Sequence, residues 1–171
     1  HIYIRVTDMK SGSISKNDIH YIDEKMFEAI KQYTISKSDL YITIAGTIGE
    51  VGEVPEMFDG ANLTENAAKF VFNNELISRS WLRNILSSKH SQLQFLDKTK
   101  KVTAQPKLAL TRIATTLIPL PPLSEQKRIV AEIEKQFDKT KQLKEHILAN
   151  QAATEQLLKA LLHQAFELKE A

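Results

Sequence analysis

The chain has 171 residues, 42% of them hydrophobic and 26% charged, with a formal net charge of +2 and no cysteine. This composition suits a soluble globular domain with enough apolar material for one core, and no run approaches the roughly 20 apolar residues of a membrane helix. The lack of cysteine excludes disulfides, thiolate zinc sites and cysteine nucleophiles. The first residues, His1 to Asp8, lack the basic and apolar regions of a secretory leader, so a cytoplasmic setting without a membrane partner is expected.

In chain order, "IYIRV" (Ile2 to Val6), "LYITIA" (Leu40 to Ala45) and "AAKFVF" (Ala67 to Phe72) are rich in β-branched and aromatic residues, with turn residues between them, and read as strands. "SGSISKND" (Ser11 to Asp18) reads as a polar loop, and Asp23 and Glu24 as a solvated turn rather than an acid–base pair. "AGTIGEVG" (Ala45 to Gly52) fits neither a dinucleotide fingerprint nor a P-loop, and reads as a tight glycine turn after a strand. Thr47 stands at its tip, where recognition groups are placed. Asn62-Leu63-Thr64 matches a glycosylation sequon by chance. From Leu76 to about Leu86, apolar residues recur at helical spacing and predict one amphipathic helix. The following "SSKHSQLQFLDKTKKVTAQPK" has no clear period, and a further strand is expected near Thr116 to Leu120.

From Ser124 onward there is no glycine or proline, and strong helix formers dominate. Ser124 is the expected N-cap, Glu125 suits the positive helix start, and Pro121 and Pro122 hold the preceding chain extended. Val130, Ile133, Phe137, Thr140, Leu143, Ile147, Thr154, Leu158 and Leu161 follow an approximate 3 and 4 spacing, the pattern of a paired helix. Val130, Ile133, Phe137, Ile147, Leu158 and Leu161 are the candidate pairing residues. Asn150 and Gln151 interrupt the stripe; they could specify register or face solvent. The fold class is therefore α+β: a mostly-β domain over residues 1–123, with one short helix, then one long helix over residues 124–171.

The small net charge conceals an asymmetry. Residues 1–75 carry 7 Lys/Arg against 12 Asp/Glu, whereas residues 76–112 carry 8 against Asp97 alone. The second stretch is the one that attracts a polyanion. Lys89, His90, Gln92, Gln94, Lys98, Lys100, Lys101, Thr103, Gln105 and Lys107 combine phosphate-pairing cations with side chains able to read base edges. Charge alone equally allows a solvated basic loop. Arg79 and Arg83 read as DNA-backbone contacts or exposed helix charges. The histidines, at 1, 20, 90, 146 and 163, show no H-x-x-x-H spacing, so no metal site is expected. No catalytic constellation is visible.

"IPLPPLSEQKRIVAEIE" (Ile118 to Glu134) closely resembles the segment that joins a target recognition domain to its conserved helix in the specificity subunits of type I restriction-modification systems. "YIRVTDMKSGSI" (Tyr3 to Ile14), "SDLYITIAGTIGEVG" (Ser38 to Gly52) and "LLHQAFELK" (Leu161 to Lys169) are similar to other parts of the same family. The resemblance implies a non-catalytic reader of double-stranded DNA, with two recognition domains each reading half of an interrupted site and two long helices pairing antiparallel to space them. It implies a methyltransferase subunit as partner, a restriction motor subunit through the complex, and self-association through the long helix. S-adenosylmethionine, ATP and magnesium would belong to the partner subunits, and no Asn-Pro-Pro-Tyr-like methyltransferase motif occurs here. The sequence starts inside an expected strand and holds one domain and one helix, so a fragment, or a half-length subunit that dimerises, is expected. Two rival readings are a coiled-coil assembly protein without a DNA role and the DNA-reading tail of a larger methyltransferase or nuclease chain.

Overall fold

The computed structural model describes residues 1–97 and 108–167. The chain divides into two compact units, His1–Lys127 and a second beginning at Arg128.

Among its described residues the first unit holds three small sheets. In one, β1 (Ile2–Ile4) pairs antiparallel with β4 (His20–Tyr21) and parallel with β7 (Asn62–Leu63). In the second, β2 (Met9–Lys10) and β3 (Ser13–Ile14) form a hairpin whose turn residues Ser11 and Gly12 both have positive φ, the backbone that two-residue hairpin turns require. In the third, β5 (Leu40–Thr43) lies between β6 (Val51–Glu53) and β8 (Ala67–Phe70), antiparallel to both. The helices are α1 (Glu24–Ile30), α2 (Arg79–Ser87), α3 (Lys89–Asp97) and α4 (Leu110–Ala114).

The central strand organises two cores. All four residues of β5 are buried, and strand alternation sends them to opposite sides. Tyr41 enters a cluster with Ile4, Met9, Ile14, Ile35, Val54 and Phe58. Leu40 and Ile42 enter another with Ile44, Val51, Leu82, Leu86, Phe95, Leu108 and Ile113, which seats α2 and α3 on the sheet. Tyr41 donates to Ser13 O at 2.7 Å, and burial, reinforced by the Glu50 charge, pushes its phenol pKa up, so it stays a donor. Gly52 faces the Tyr41 ring and the Gly12 backbone so closely that no Cβ fits.

Polar groups close the turns of this unit. Asp8 accepts from the Arg5 backbone N–H at 2.9 Å and from its guanidinium at 3.0 and 2.7 Å. Burial pushes the Asp8 carboxyl up, but the Arg5 hydrogen bonds and charge together outweigh it and hold the net value below the usual carboxylate range. Arg5 also reaches Asp18 at 3.1 Å and His20 Nε2 at 2.8 Å, which ties β1 to the stretch before β4.

Several expectations are corrected. Asp23 and Glu24 begin α1 rather than a solvated turn, with Asp23 Oδ1 accepting from Met26 N at 2.8 Å as its N-cap. The amphipathic helix starts at Arg79 instead of Leu76, because residues 73–77 are held in a turn with Leu76 and Ile77 donating to Asn73 O. A second helix, α3, occupies the stretch expected to be irregular. No strand forms at Thr116 to Leu120. Pro119, Pro121 and Pro122 have no N–H to offer a ladder, and a side-chain amide stands where a strand would: Leu117 N donates to Gln94 Oε1 at 3.0 Å, and Gln94 Nε2 donates to Leu117 O at 2.9 Å. The Asn62 of the sequon is fully buried and donates to Ile30 O at 3.0 Å.

The long helix α5 (Leu123–Glu167) has 45 residues, a length of roughly 67 Å at 1.5 Å per residue. It starts one residue before Ser124, because Pro122 O already accepts from Glu125 N at 2.9 Å and Gln126 N at 3.0 Å. Ser124 thus lies in the first turn, and Pro122 supplies the capping carbonyl.

Candidate nucleic-acid interface

Thr47 sits exposed at the tip of the β5–β6 loop, and the loop beneath it is pegged from inside. The fully buried Thr43 donates through Oγ1 to Thr47 O and accepts from Glu50 N at 3.0 Å, while its carbonyl accepts from Gly49 N at 2.9 Å. Ile44 and Ala45 donate to Asn66 O at 2.8 and 3.2 Å, and Ile44 O accepts from the fully buried Leu108 at 2.8 Å. The loop is therefore fixed to β5, to the β7–β8 connection and to the segment entering α4.

Beside it runs α3, with Lys89 and His90 exposed in its first turn. Ser91 and Phe95, four apart, face the core and seat the helix. Gln92 and Gln94 turn inward. Gln92 Nε2 donates to Gly49 O at 2.8 Å and to Leu86 O at 3.0 Å, and the Gln94 amide holds Leu117 as described. Both glutamines are thus engaged by backbone groups within the protein. Lys98, Lys100, Lys101, Thr103, Gln105 and Lys107 lie outside the described residues. The described residues on either side of them are the end of α3 and the anchored Leu108.

Arg79 and Arg83, one turn apart on α2, both reach Glu53 of β6, at 3.4 and 3.2 Å. They are neither plain exposed charges nor free cations: they clamp the helix to the sheet edge. Among the described residues, no group of three or more His, Asp or Glu could hold a metal ion, and no helix is long and apolar enough to cross a membrane.

Another glutamine secures the start of α5, one that sequence reasoning did not single out. Gln126 is fully buried, accepts from Ser78 N at 2.8 Å, and donates to Leu76 O at 3.0 Å and Pro121 O at 2.8 Å. Ser78 is the N-cap residue of α2, and its own side chain makes no capping bond. A side chain from the first turn of α5 therefore closes the turn ahead of α2.

Along the rest of α5 the candidate pairing residues emerge in sequence. Val130 is buried and Ile133 half-buried; Phe137, Ile147, Leu158 and Leu161 are 68%, 49%, 57% and 54% exposed. Thr140 and Thr154 donate their hydroxyls to the carbonyls of Gln136 and Asn150, which removes their polarity from the stripe. Asn150 and Gln151 are exposed next to Ile147 and Thr154.

Comparison with known proteins gives this arrangement a family. Residues 2–150 match the family model described as the type I restriction modification DNA specificity domain. The specificity subunit of the type I restriction enzyme EcoBI from Escherichia coli is 28% identical over 163 residues, which cover 95% of this chain and 34% of that subunit. The chain thus spans about a third of the length of that relative. Two solved structures share the fold. One is the HsdS subunit from Thermoanaerobacter tengcongensis, at 23% identity with a TM-score of 0.77, covering 91% of this chain and 40% of that one. The other, from work on complex assembly and conformational transition of the type I R-M system, has 21% identity and a TM-score of 0.70, covering 94% and 42%. Since the family model takes in both the first unit and more than half of the long helix, the chain belongs to the type I restriction modification DNA specificity domain family.

Proposed function

We propose that this chain is a non-catalytic recognition unit of a type I restriction-modification complex and reads one half of a bipartite target in double-stranded DNA. The family match over residues 2–150 carries this reading. The basic stretch of residues 76–112 supports it, with Lys89 and His90 exposed beside the anchored Thr47 loop. In this reading α5 pairs with a second long helix, such as that of another copy, and so sets the distance between two reading units. It also offers a docking surface to the methyltransferase subunit, and a restriction motor subunit joins through the complex. S-adenosylmethionine, ATP and magnesium are then the partners' cofactors, and the assembly works in the cytoplasm.

Phosphate contacts dominate the affinity of such a reader, so its binding must weaken with salt. Titration of a labelled duplex should show affinity falling by about tenfold or more between 50 and 200 mM salt. Reversing charge with Lys98→Glu, Lys100→Glu and Lys101→Glu together should weaken binding to every sequence alike and flatten that dependence. Salt-independent binding that ignores these substitutions would refute the assignment of the basic stretch to DNA.

A further inference from the structure

We propose that Gln92 is a positioning residue rather than a reader of bases: it latches the Ala45–Glu50 loop onto α3, so that Thr47 and Lys89 meet DNA as one rigid surface. The inference rests on the DNA-reading proposal above.

Three observations carry it. Gln92 Nε2 directs its hydrogens at two backbone carbonyls, Gly49 O at 2.8 Å and Leu86 O at 3.0 Å. A glutamine that reads adenine bidentately must offer that same amide N–H together with its carbonyl, so Gln92 has no donor left to give. Secondly, the loop is shaped around this side chain. Gly49 has φ +90°, and a Cβ there would lie 2.6 Å from Gln92 Oε1. The glycine therefore serves both the turn and the close approach of the amide. Thirdly, the latch joins elements that carry exposed DNA-facing candidates on both sides. Thr47 stands two residues from Gly49, and Lys89, three residues before Gln92, shares its face of α3. Gln94, engaged with Leu117, performs no such service for the loop.

The test uses the full chain, a pool of randomised duplexes and sequencing of the bound fraction, with Gln92→Met as the variant because it keeps volume and reach but removes the donor. Thr47→Ala and the double variant are run alongside. A latch predicts that Gln92→Met relaxes preference at the same base pairs as Thr47→Ala, by about tenfold, with the double variant no worse than the stronger single one. Affinity for unselected duplex should stay close to that of the parent chain, and the unfolding midpoint should fall without loss of the folded state, since Gly49 O and Leu86 O lose their donor. Amide exchange at Ile48 and Gly49 should rise in Gln92→Met, which gives a readout independent of DNA.

If Gln92→Met changes preference at a base pair that Thr47→Ala leaves alone, Gln92 is itself a reader and the inference is overturned. It is also overturned if the parent chain selects a sequence and Gln92→Met selects the same one undiminished. A parent chain that selects no sequence at all takes down the DNA-reading proposal and the latch together. If Gln92→Met does not fold, Gln92→Glu, which retains the shape but places an acceptor against the two carbonyls, is judged by the same criteria.

Discussion

The first unit and the long helix treat their side chains in opposite ways. Between His1 and Lys127, buried polar groups such as Asp8, Thr43, Asn62 and Gln126 fasten loops and helix starts to one another. Along α5 beyond Lys127 the polar groups face water, while Phe137, Ile147, Leu158 and Leu161 stand exposed. The contrast separates two kinds of specification. In the first unit these side chains bond to backbone groups of the same unit and so favour one conformation; the helix carries its own backbone bonds and leaves its apolar stripe uncovered by the described chain. Fully burying an exposed side chain of this kind is worth roughly 1.5–3 kcal/mol, and these four are only about half exposed, so pairing must enlist the rest of the stripe to offset the cost of association.

The largest expected effect breaks the helix side of this contrast. Phe137→Glu, Ile147→Glu and Leu158→Glu together should weaken self-association by about 100-fold or more, since each puts a charge into a surface that must be desolvated. Sedimentation of the parent and variant chains would measure this, with helix content unchanged by circular dichroism. A parent chain that remains monomeric at high concentration would instead assign the stripe to a different helix.

A smaller effect sharpens the other side. Gln126→Ala leaves the Ser78 N–H and the carbonyls of Leu76 and Pro121 without their partner. Chemical denaturation should show a loss of about 2–3 kcal/mol for this exposed side's opposite, a fully buried amide. A loss well under 1 kcal/mol would mean that water replaces the glutamine readily, and that the start of α5 is less firmly built into the first unit than its geometry implies.

The smallest effect concerns acid. Because Asp8 is held below its ordinary value in the folded chain, its contribution is present above the unfolded carboxylate pKa and is lost as pH falls through the folded one. The gap in urea midpoint between parent and Asp8→Asn should therefore be widest near neutrality and shrink as the pH falls below the ordinary carboxylate range. A gap that stays constant across that range would detach Asp8 from the acid limb.

The sequence made the elements with strong periods legible. The β-branched runs around β1, β5 and β8, and the glycine-free run of α5, announce themselves because strand alternation and helix propensity act locally. α3 was invisible for a physical reason: it buries Ser91 and Phe95 and turns the polar Gln92 inward, so hydrophobicity alone shows no stripe. The extended stretch at Thr116 to Leu120 looked like a strand because its φ/ψ preferences are those of one, but pairing depends on a neighbour, and Gln94 supplies an amide in its place. For the candidate interface, composition pointed to a stretch of chain and to side-chain types, not to which side chains are free to meet a ligand. It did not separate Lys89 and His90, which face outward, from Gln92 and Gln94, which bond to particular carbonyls that only the folded backbone brings near. Arg79 and Arg83 were likewise legible as charges but not as the pair that meets Glu53.

The buried Gln126 also bears on where such a chain can be cut and grafted. A first unit severed after Leu123, just past the prolines, would lose the side chain that closes the turn ahead of α2. A transplant that carries the chain through Lys127 takes this socket with it. A recipient helix with a glutamine at the matching place in its first turn would restore the same three hydrogen bonds to a unit grafted without its own, which makes the short run "SEQ" the piece of α5 that the first unit cannot spare.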